Sequence, residues 1–430
     1  MEQSPAQVEA IAIQGESILA IGNESDILSM AGPNTLLIDL EGRALLPGFI
    51  DSHAHHIVSG PFRGLPTPDA AIDSVLSSGW TSISEMVVDE GILDEFITLD
   101  QENRLRVRVN AYLMMSSEFQ KYRDFYKAYQ PGQEFSSRLR IGGLKIVMDS
   151  WPDFGLLLNQ TELDAFVQEA HEAGFQIAIH SLGDTATDTI LNSFESVLGG
   201  ESNELYRHRT EHLILLRDDQ IQRMSNLGII ASLQLPWFCS DWTQIEEYPI
   251  LQNQSHLVGR FRDILQAGIP SIGSSDFPSW GIVGIPVAST PIQAISMAVT
   301  RIGELGLSPT DWMLNQTISV EQALRLITID AAYGTFQEDT KGSIKVGKLA
   351  DLVILSDNPL TVQEDSLADI DVLLTMVGGR IEYTKRGSGL PEPEIIQPLW
   401  GLILIPTLVS IYLFAIVVFV VFMKKRTRIQ

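Results

Sequence analysis

"TELDAFVQEAHEAGFQIAIH", Thr161 to His180, carries one complete structural unit in twenty residues. Thr161 and Asp164 fit a capping box ahead of an apolar stripe, Gly174 fits the helix C-cap, and "FQIAIH" reads as the strand that follows. The same pattern returns in "RDDQIQRMSNLGIIASLQ", Arg217 to Gln234, and in "HLVGRFRDILQAGIPSIGSSD", His256 to Asp276. Helix, turn and buried strand repeated at this length predict a parallel α/β sheet, either a barrel or doubly wound.

Outside this region the period changes. Residues 6–46 alternate apolar and polar positions in short runs, "VEAIAI", "ESILAIG" and "NTLLIDL", which predicts a small β-sheet unit. After the helical "SVEQALRLITIDAAYG", short alternating strands return in "GSIKVGKLADLVILSDNP" and "IDVLLTMVGGRIEY", within 336–383. The order along the chain is therefore β (6–46), βα (47–335) and β (336–383). Residues 384–397, "TKRGSGLPEPEIIQ", form a linker rich in Pro, Gly and Glu.

The next stretch differs from everything before it. Leu399 to Met423 runs 25 residues without a charge. At ~1.5 Å per helical residue it is long enough for a hydrocarbon core of ~30 Å, so a single transmembrane helix is expected over 399–423. The basic tail 424–430, "KKRTRIQ", predicts a cytoplasmic end, which leaves the large domain outside the cell. Sequons at Asn23, Asn159, Asn253 and Asn315 point the same way, whereas the N-terminus shows no export signal.

Composition narrows the chemistry. The net charge is −25, which argues against a nucleic-acid partner. Cys239 is the only cysteine, so any bound metal must be held by imidazole and carboxylate. "DSHAHH", Asp51 to His56, supplies three histidines. Strand alternation would put Asp51, His53 and His55 on one face and send His56 to the other. Alone, H-x-H fits a polar loop equally well. Further candidates end the later strands: His180 closes "FQIAIH", His212 closes "YRHRTEH", and Asp276 closes "SIGSSD". In a βα barrel those ends meet above the barrel mouth. Lys145, alone in the apolar "GGLKIVMDS", calls for an ion pair, a neutral amine or a modified one.

Taken together, "GRALLPGFIDSHAHH", "GLKIVMDS", "IAIHSLGDTATD", "RHRTEHLILL", "GSSDFP" and "KGSIKVGKLADLVILSDNPL" resemble the metal-dependent amidohydrolase superfamily, in its amidohydrolase 3 or YtcJ-like branch. The resemblance covers nearly all of residues 6–383. It implies a (β/α)₈ TIM-like barrel with a composite β-sandwich from both flanks, and hydrolysis of amide, imide or formamide-type C–N bonds in small molecules. It also implies one or two divalent ions, Zn²⁺ first, on His53, His55, His180, His212 and Asp276, with Lys145 matching a lysine that is carboxylated in several members. Asp276 would be general base and then acid. Where the family carries "DGS", this chain has "DSW" at Asp149 to Trp151, and the stretch between His56 and Gly143 is short.

Secondary roles are open. Glu85, Asp149, Asp184 and Trp237 are candidate substrate contacts, although Asp184 also suits a helix start and Trp237 ordinary packing. Asp51 suits either orientation of His53 or His55, or a turn. Arg207, Arg209 and Glu211 read as an ion-pair network. Such a barrel also serves ester or phosphotriester hydrolysis, and a non-catalytic membrane-tethered surface protein is the rival from another class. Sequence leaves the oligomer open.

Overall fold

Among the described residues, sixteen strands fall into one eight-stranded parallel barrel and two flanking four-stranded sheets. A computed structural model describes residues 8–58, 65, 67–115, 124–150, 155–241, 254–278, 290–393 and 418–422. Strands β1 (Ala10–Gln14), β2 (Ser17–Gly22), β3 (Leu36–Asp39) and β4 (Ala44–Pro47) precede the barrel. The barrel begins with β5 (Phe49–Ala54), β6 (Trp80–Val88), β7 (Arg108–Met114) and β8 (Leu139–Val147). A short ribbon follows, β9 (Asp149–Ser150) with β10 (Gly155–Leu156). The barrel is completed by β11 (Ile177–Ser181), β12 (Arg209–His212), β13 (Ile230–Gln234) and β14 (Ser271–Ser274).

These eight lie in sequential order, each parallel to the next, with no reversal of the kind a doubly wound sheet requires. The ends meet at the top. There the Asp276 amide donates to the His53 carbonyl at 2.9 Å, and the His55 amide to the Phe277 carbonyl at 2.8 Å.

The helices form where capping and apolar periodicity coincide. In the helix Gln160–Glu172 the capping box is built by Asn159 and Glu162, not by the expected Thr161 and Asp164. The box needs Glu or Gln three residues after the cap, and Asn159-x-x-Glu162 meets that rule two residues earlier, where Thr161-x-x-Asp164 offers only Asp. Gly174, at φ +79°, ends the helix as expected, in a conformation that costs other residues about 1 kcal/mol or more. Leu163, Phe166 and Val167 face inward and share a core with Ile177, Ile179, Ile190 and Phe194. Each such side chain contributes roughly 1.5–3 kcal/mol on full burial. Inside the barrel the lining is largely polar: Ser82, Ser84, Asn110, Lys145, Arg209 and Glu211 are all buried.

Beside the barrel lie two four-stranded sheets. One pairs β4 with β15 (Leu352–Leu355), β16 (Val372–Val377) and β17 (Arg380–Thr384). The other joins β1, β2 and β3 through β18 (Val418–Phe422). Ile11, Ile13 and Ile38 pack against Leu352, Ile354, Leu374 and Met376 in one cluster, so the sandwich is built from both flanks. A buried ion pair ties it to the barrel: Arg108, at the start of β7, grips Asp351 through Nε at 2.7 Å and Nη2 at 2.9 Å.

The expected transmembrane helix needs correction where it can be seen. Val418–Phe422, inside the 399–423 run, form a strand paired antiparallel to β1 and parallel to β3. The reason is physical: β-branched and aromatic residues suit a pleated sheet, and without this strand β1 and β3 would each present an unpaired edge. Residues 399–417, Trp151, the linker end 394–397 and the basic tail 424–430 lie outside the described residues. Among those described, no helix is long and apolar enough to cross a membrane.

Candidate metal centre

Strand β5 brings the first two imidazoles to the barrel mouth through an irregularity. Between Asp51 and Ala54 it spends three steps where β6 spends two, from Ile83 to Glu85. This bulge re-aims the side chains that follow. His53 Nε2 lies 3.3 Å and His55 Nε2 3.5 Å from the same oxygen, Asp276 Oδ1. His53, His55 and Asp276 form a group whose possible ligand atoms all lie within 4.8 Å of one another.

His56 turns away, as alternation requires. Its Nε2 is 3.0 Å from Asp51 Oδ2, and its ring stacks on Phe277. Asp51 does not stay with His53, because the bulge breaks the alternation between them. It accepts instead from the Ser275 hydroxyl at 2.5 Å and the Ser275 amide at 2.9 Å. Of its two expected roles, Asp51 thus takes the turn-holding one, immediately before Asp276.

His180 and His212 complete the ring of imidazoles, though less tightly. The His212 ring is 4.7 Å from that of His53 and 4.4 Å from that of His180, and its Nδ1 lies 4.0 Å from Asp276 Oδ2. His180 Nε2 lies 3.5 Å from Asp149 Oδ1. Both His212 (φ 73°) and Asp276 (φ 55°) sit in the left-handed region, which costs of order 1–3 kcal/mol each. Asp276 caps no described helix; it ends β14 and is held by the barrel closure.

Burial favours the neutral form of three of these imidazoles. Burial pushes His53 below its ordinary value, helped by Lys145 and opposed by Glu211, and it holds His180 and His212 well below theirs. Neutral imidazole is the form that ligates a metal. Lys145 is 2% exposed and its Nζ has no hydrogen-bond partner. Burial brings its ammonium down to about 8, against the pull of Glu211 and Asp276. No carboxylate is within ion-pair distance of it among the described residues, so the expected simple ion pair is absent.

Three candidate substrate contacts do other work. Glu85 is fully buried, and its Oε1 accepts from the Ile57 and Val58 amides at 2.9 and 2.8 Å, anchoring the turn after His56. Asp149 is buried too, and accepts from Gly183 at 2.7 Å and Leu182 at 3.0 Å, so it staples the turn after β11. Burial pushes its carboxyl up to about 6, against those amides. Asp184 faces outward and pairs with Arg217 at 2.8 Å. Trp237 stands against the cluster, its ring stacked on His212 at 5.3 Å and 11°.

Sequence reasoning undervalued Glu211. It takes His53 Nδ1 at 2.5 Å through one oxygen and the Arg209 guanidinium through both. Burial disfavours its charge, but Arg209 and His53 outweigh that and hold the carboxyl well below its usual range. A proton on Nδ1 leaves the His53 Nε2 lone pair facing Asp276. The signal was present in "RTEH", where Arg209 and Glu211 share one strand face. Arg207 leaves the expected network: it pairs with Glu338 and lies over the Tyr333 and Phe336 rings.

Imidazoles and a carboxylate thus converge at the C-terminal ends of the strands of a parallel barrel, the face on which barrel enzymes carry their active sites. The chain belongs to the amidohydrolase family, whose Amidohydro_3 model matches residues 68–383. It is 29% identical to the N-substituted formamide deformylase of Arthrobacter pascens over 233 residues, 54% of this chain and 40% of that protein. It thus spans less than half of that relative's length. With the imidazolonepropionase of Symbiobacterium thermophilum it shares 25% identity over 81% of this chain and 83% of the relative. A metal-dependent hydrolase of Pyrococcus horikoshii OT3 superposes with a TM-score of 0.68 at 20% identity, covering 82% of this chain and 94% of that one.

Proposed function

We propose that this chain is a metal-dependent hydrolase of amide, imide or formamide-type C–N bonds in small molecules. Residues 47–335 would carry the site and the two flanks would support it. The observation that carries this reading is the His53, His55 and Asp276 group, with His212 and His180 beside it. The named activities of the formamide deformylase and the imidazolonepropionase agree with the bond type.

The residues fit a divalent ion. His212 Nδ1 and Lys145 Nζ are buried without hydrogen-bond partners, an arrangement costly in a dry interior and relieved by a ligand. The donors are nitrogen and oxygen, which suits Zn²⁺. His53, His55, His180, His212 and Asp276 would hold it. Carboxylation of Lys145 would supply two further oxygens and room for a second ion. Such an ion would lower the pKa of the water it binds to about 7 and polarise a carbonyl.

The chain's own groups do the rest. Asp276 stands beside both first-strand imidazoles, where it can take a proton from the attacking water and deliver it to the leaving nitrogen. Glu211 fixes the His53 tautomer, and Trp237 walls the cluster with an apolar face. Metal analysis of the full chain, with turnover of amides, imides and formamides by wild type and Asp276→Asn, tests the reading. Metal retained by both, with turnover about 10²–10⁴-fold lower in the variant, is expected. A metal-loaded wild type inert toward all three classes would sink it.

Localisation is a separate proposal. The uncharged run and basic tail support a single-pass membrane protein with the barrel outside. That arrangement requires Val418–Phe422 to leave the sheet, since a span ending there puts them across the bilayer from β1 and β3. Protease shaving of intact cells decides it: a barrel that survives shaving is not outside.

A further inference from the structure

Arg301 combines two expensive features. Its backbone is left-handed, φ 58°, at the end of the helix Pro291–Thr300, a conformation that favours glycine. Its side chain is fully buried, and among the described residues no carboxylate lies within ion-pair distance of it. Burying an uncompensated guanidinium costs several kcal/mol. The compensation is all dipolar: Nη2 donates to the Gln316 carbonyl, Nη1 reaches the carbonyls of Trp237 at 3.4 Å and Phe238 at 3.5 Å, and the Phe261 ring lies 4.5 Å away.

The Trp237 and Phe238 carbonyls belong to the segment that follows β13 and carries the ring stacked on His212. The same segment is stitched to the 301–305 turn at further points. The Ser240 amide donates to the Arg301 carbonyl at 2.7 Å, the Gly303 amide to the Ser240 hydroxyl at 2.9 Å, and the Leu305 amide to Asp241 Oδ1 at 3.2 Å. Contact at Gly303 is so close that a Cβ there would stand 2.2 Å from the Asp241 carboxyl carbon. Phe238 is itself left-handed, φ 61°, so the segment needs holding.

We propose that Arg301 and its turn form a clamp that presses Trp237 flat against His212, making Arg301 a positioning residue for the metal centre. This rests on His212 being a ligand, as read above. The imidazole plane is then set from the rear by an aromatic face, much as Glu211 sets His53 from below. Forked donors explain why arginine is needed, because a lysine ammonium cannot reach two successive carbonyls and a third with fixed geometry.

Full-length wild type, Arg301→Met, Arg301→Lys, Gly303→Ala and Trp237→Ala would be compared in two readouts. The first is Co²⁺ affinity by titration. The second is the near-ultraviolet dichroism of Trp237, isolated by subtracting the matching Trp237→Phe protein in each background. Arg301→Met and Gly303→Ala should each weaken Co²⁺ binding about tenfold and change the Trp237 signal. Arg301→Lys should not restore either, and Arg301→Met should cause no further loss of affinity in the Trp237→Ala background. Additive losses, or an unchanged Trp237 signal, would overturn the clamp. If Arg301→Met fails to fold, Gly303→Ala carries the same test, and Trp237→Ala alone must still weaken Co²⁺ binding. A wild type that binds no Co²⁺ refutes the ligand reading, while the Trp237 signal still reports on the clamp.

Discussion

Glu211 shows how one carboxylate can govern a site it does not enter. Charged by Arg209 and hydrogen-bonded to His53 Nδ1, it decides which imidazole nitrogen is free. Replacement by Gln keeps the shape but removes the charge that holds the proton on Nδ1. Glu211→Gln should therefore fold, bind Zn²⁺ 10–100-fold more weakly, and show this in competitive titration with a chromogenic chelator. An unchanged affinity would mean that His53 orientation does not depend on this contact.

At the scale of elements, the helix Gln160–Glu172 is joined to the strands beneath it by a pair of histidines. His208, just before β12, accepts from the Ile177 amide at 3.2 Å, and its Nε2 meets His171 Nδ1 at 3.0 Å. Its ring stacks on Phe194 and Tyr206. Burial, aided by His171, lowers its pKa to about 3 from an ordinary 6.5. The folded state thus prefers the neutral ring, while the unfolded chain takes up a proton below pH 6.5. The stabilisation is complete above pH 6.5 and is lost progressively as pH falls toward 3, by at most about 1.4 kcal/mol per pH unit. Urea unfolding from pH 7 to 4 should show this slope in wild type and a flatter one in His208→Gln. Parallel slopes would show that His208 is not the titrating group.

Across the whole molecule, the barrel and the sandwich are held together by more than apolar contact. Arg108 and Asp351 are both buried and bidentately paired, and Asp351 also takes the Gly378 amide at 2.7 Å. Burial works against the Asp351 charge, but Arg108 outweighs it and keeps the carboxyl below its usual range. Arg108→Met leaves that carboxylate buried and unpaired, which should cost about 3–5 kcal/mol in denaturant unfolding. A loss below ~1 kcal/mol would show that water reaches Asp351 in the variant.

Much of this was legible in the residues themselves. Helix and strand periods predicted the βα units, the flanking β segments and a parallel sheet, because amphipathic period and end signals are local properties. His53, His55, His180, His212 and Asp276 could be picked out as strand-end groups for the same reason. The barrel rather than a doubly wound sheet came from resemblance and from the observed strand order, since periodicity is blind to which strands meet. Local chemistry left other roles open: Asp184 does begin the helix Asp184–Leu198, but the amides that hold Glu85 and Asp149 and the arginine that pairs with Asp184 all come from other segments. The apolar run at 399–423 read as a membrane helix, while its last residues pair as a strand, because hydrophobicity measures aversion to water and not which partner relieves it. Sequence alone determined which residue types were available and the period in which they fold. Only the tertiary structure decided their partners, Glu211 with His53, Asp51 with Ser275 and Trp237 with His212, because those contacts join segments that no local interaction brings together.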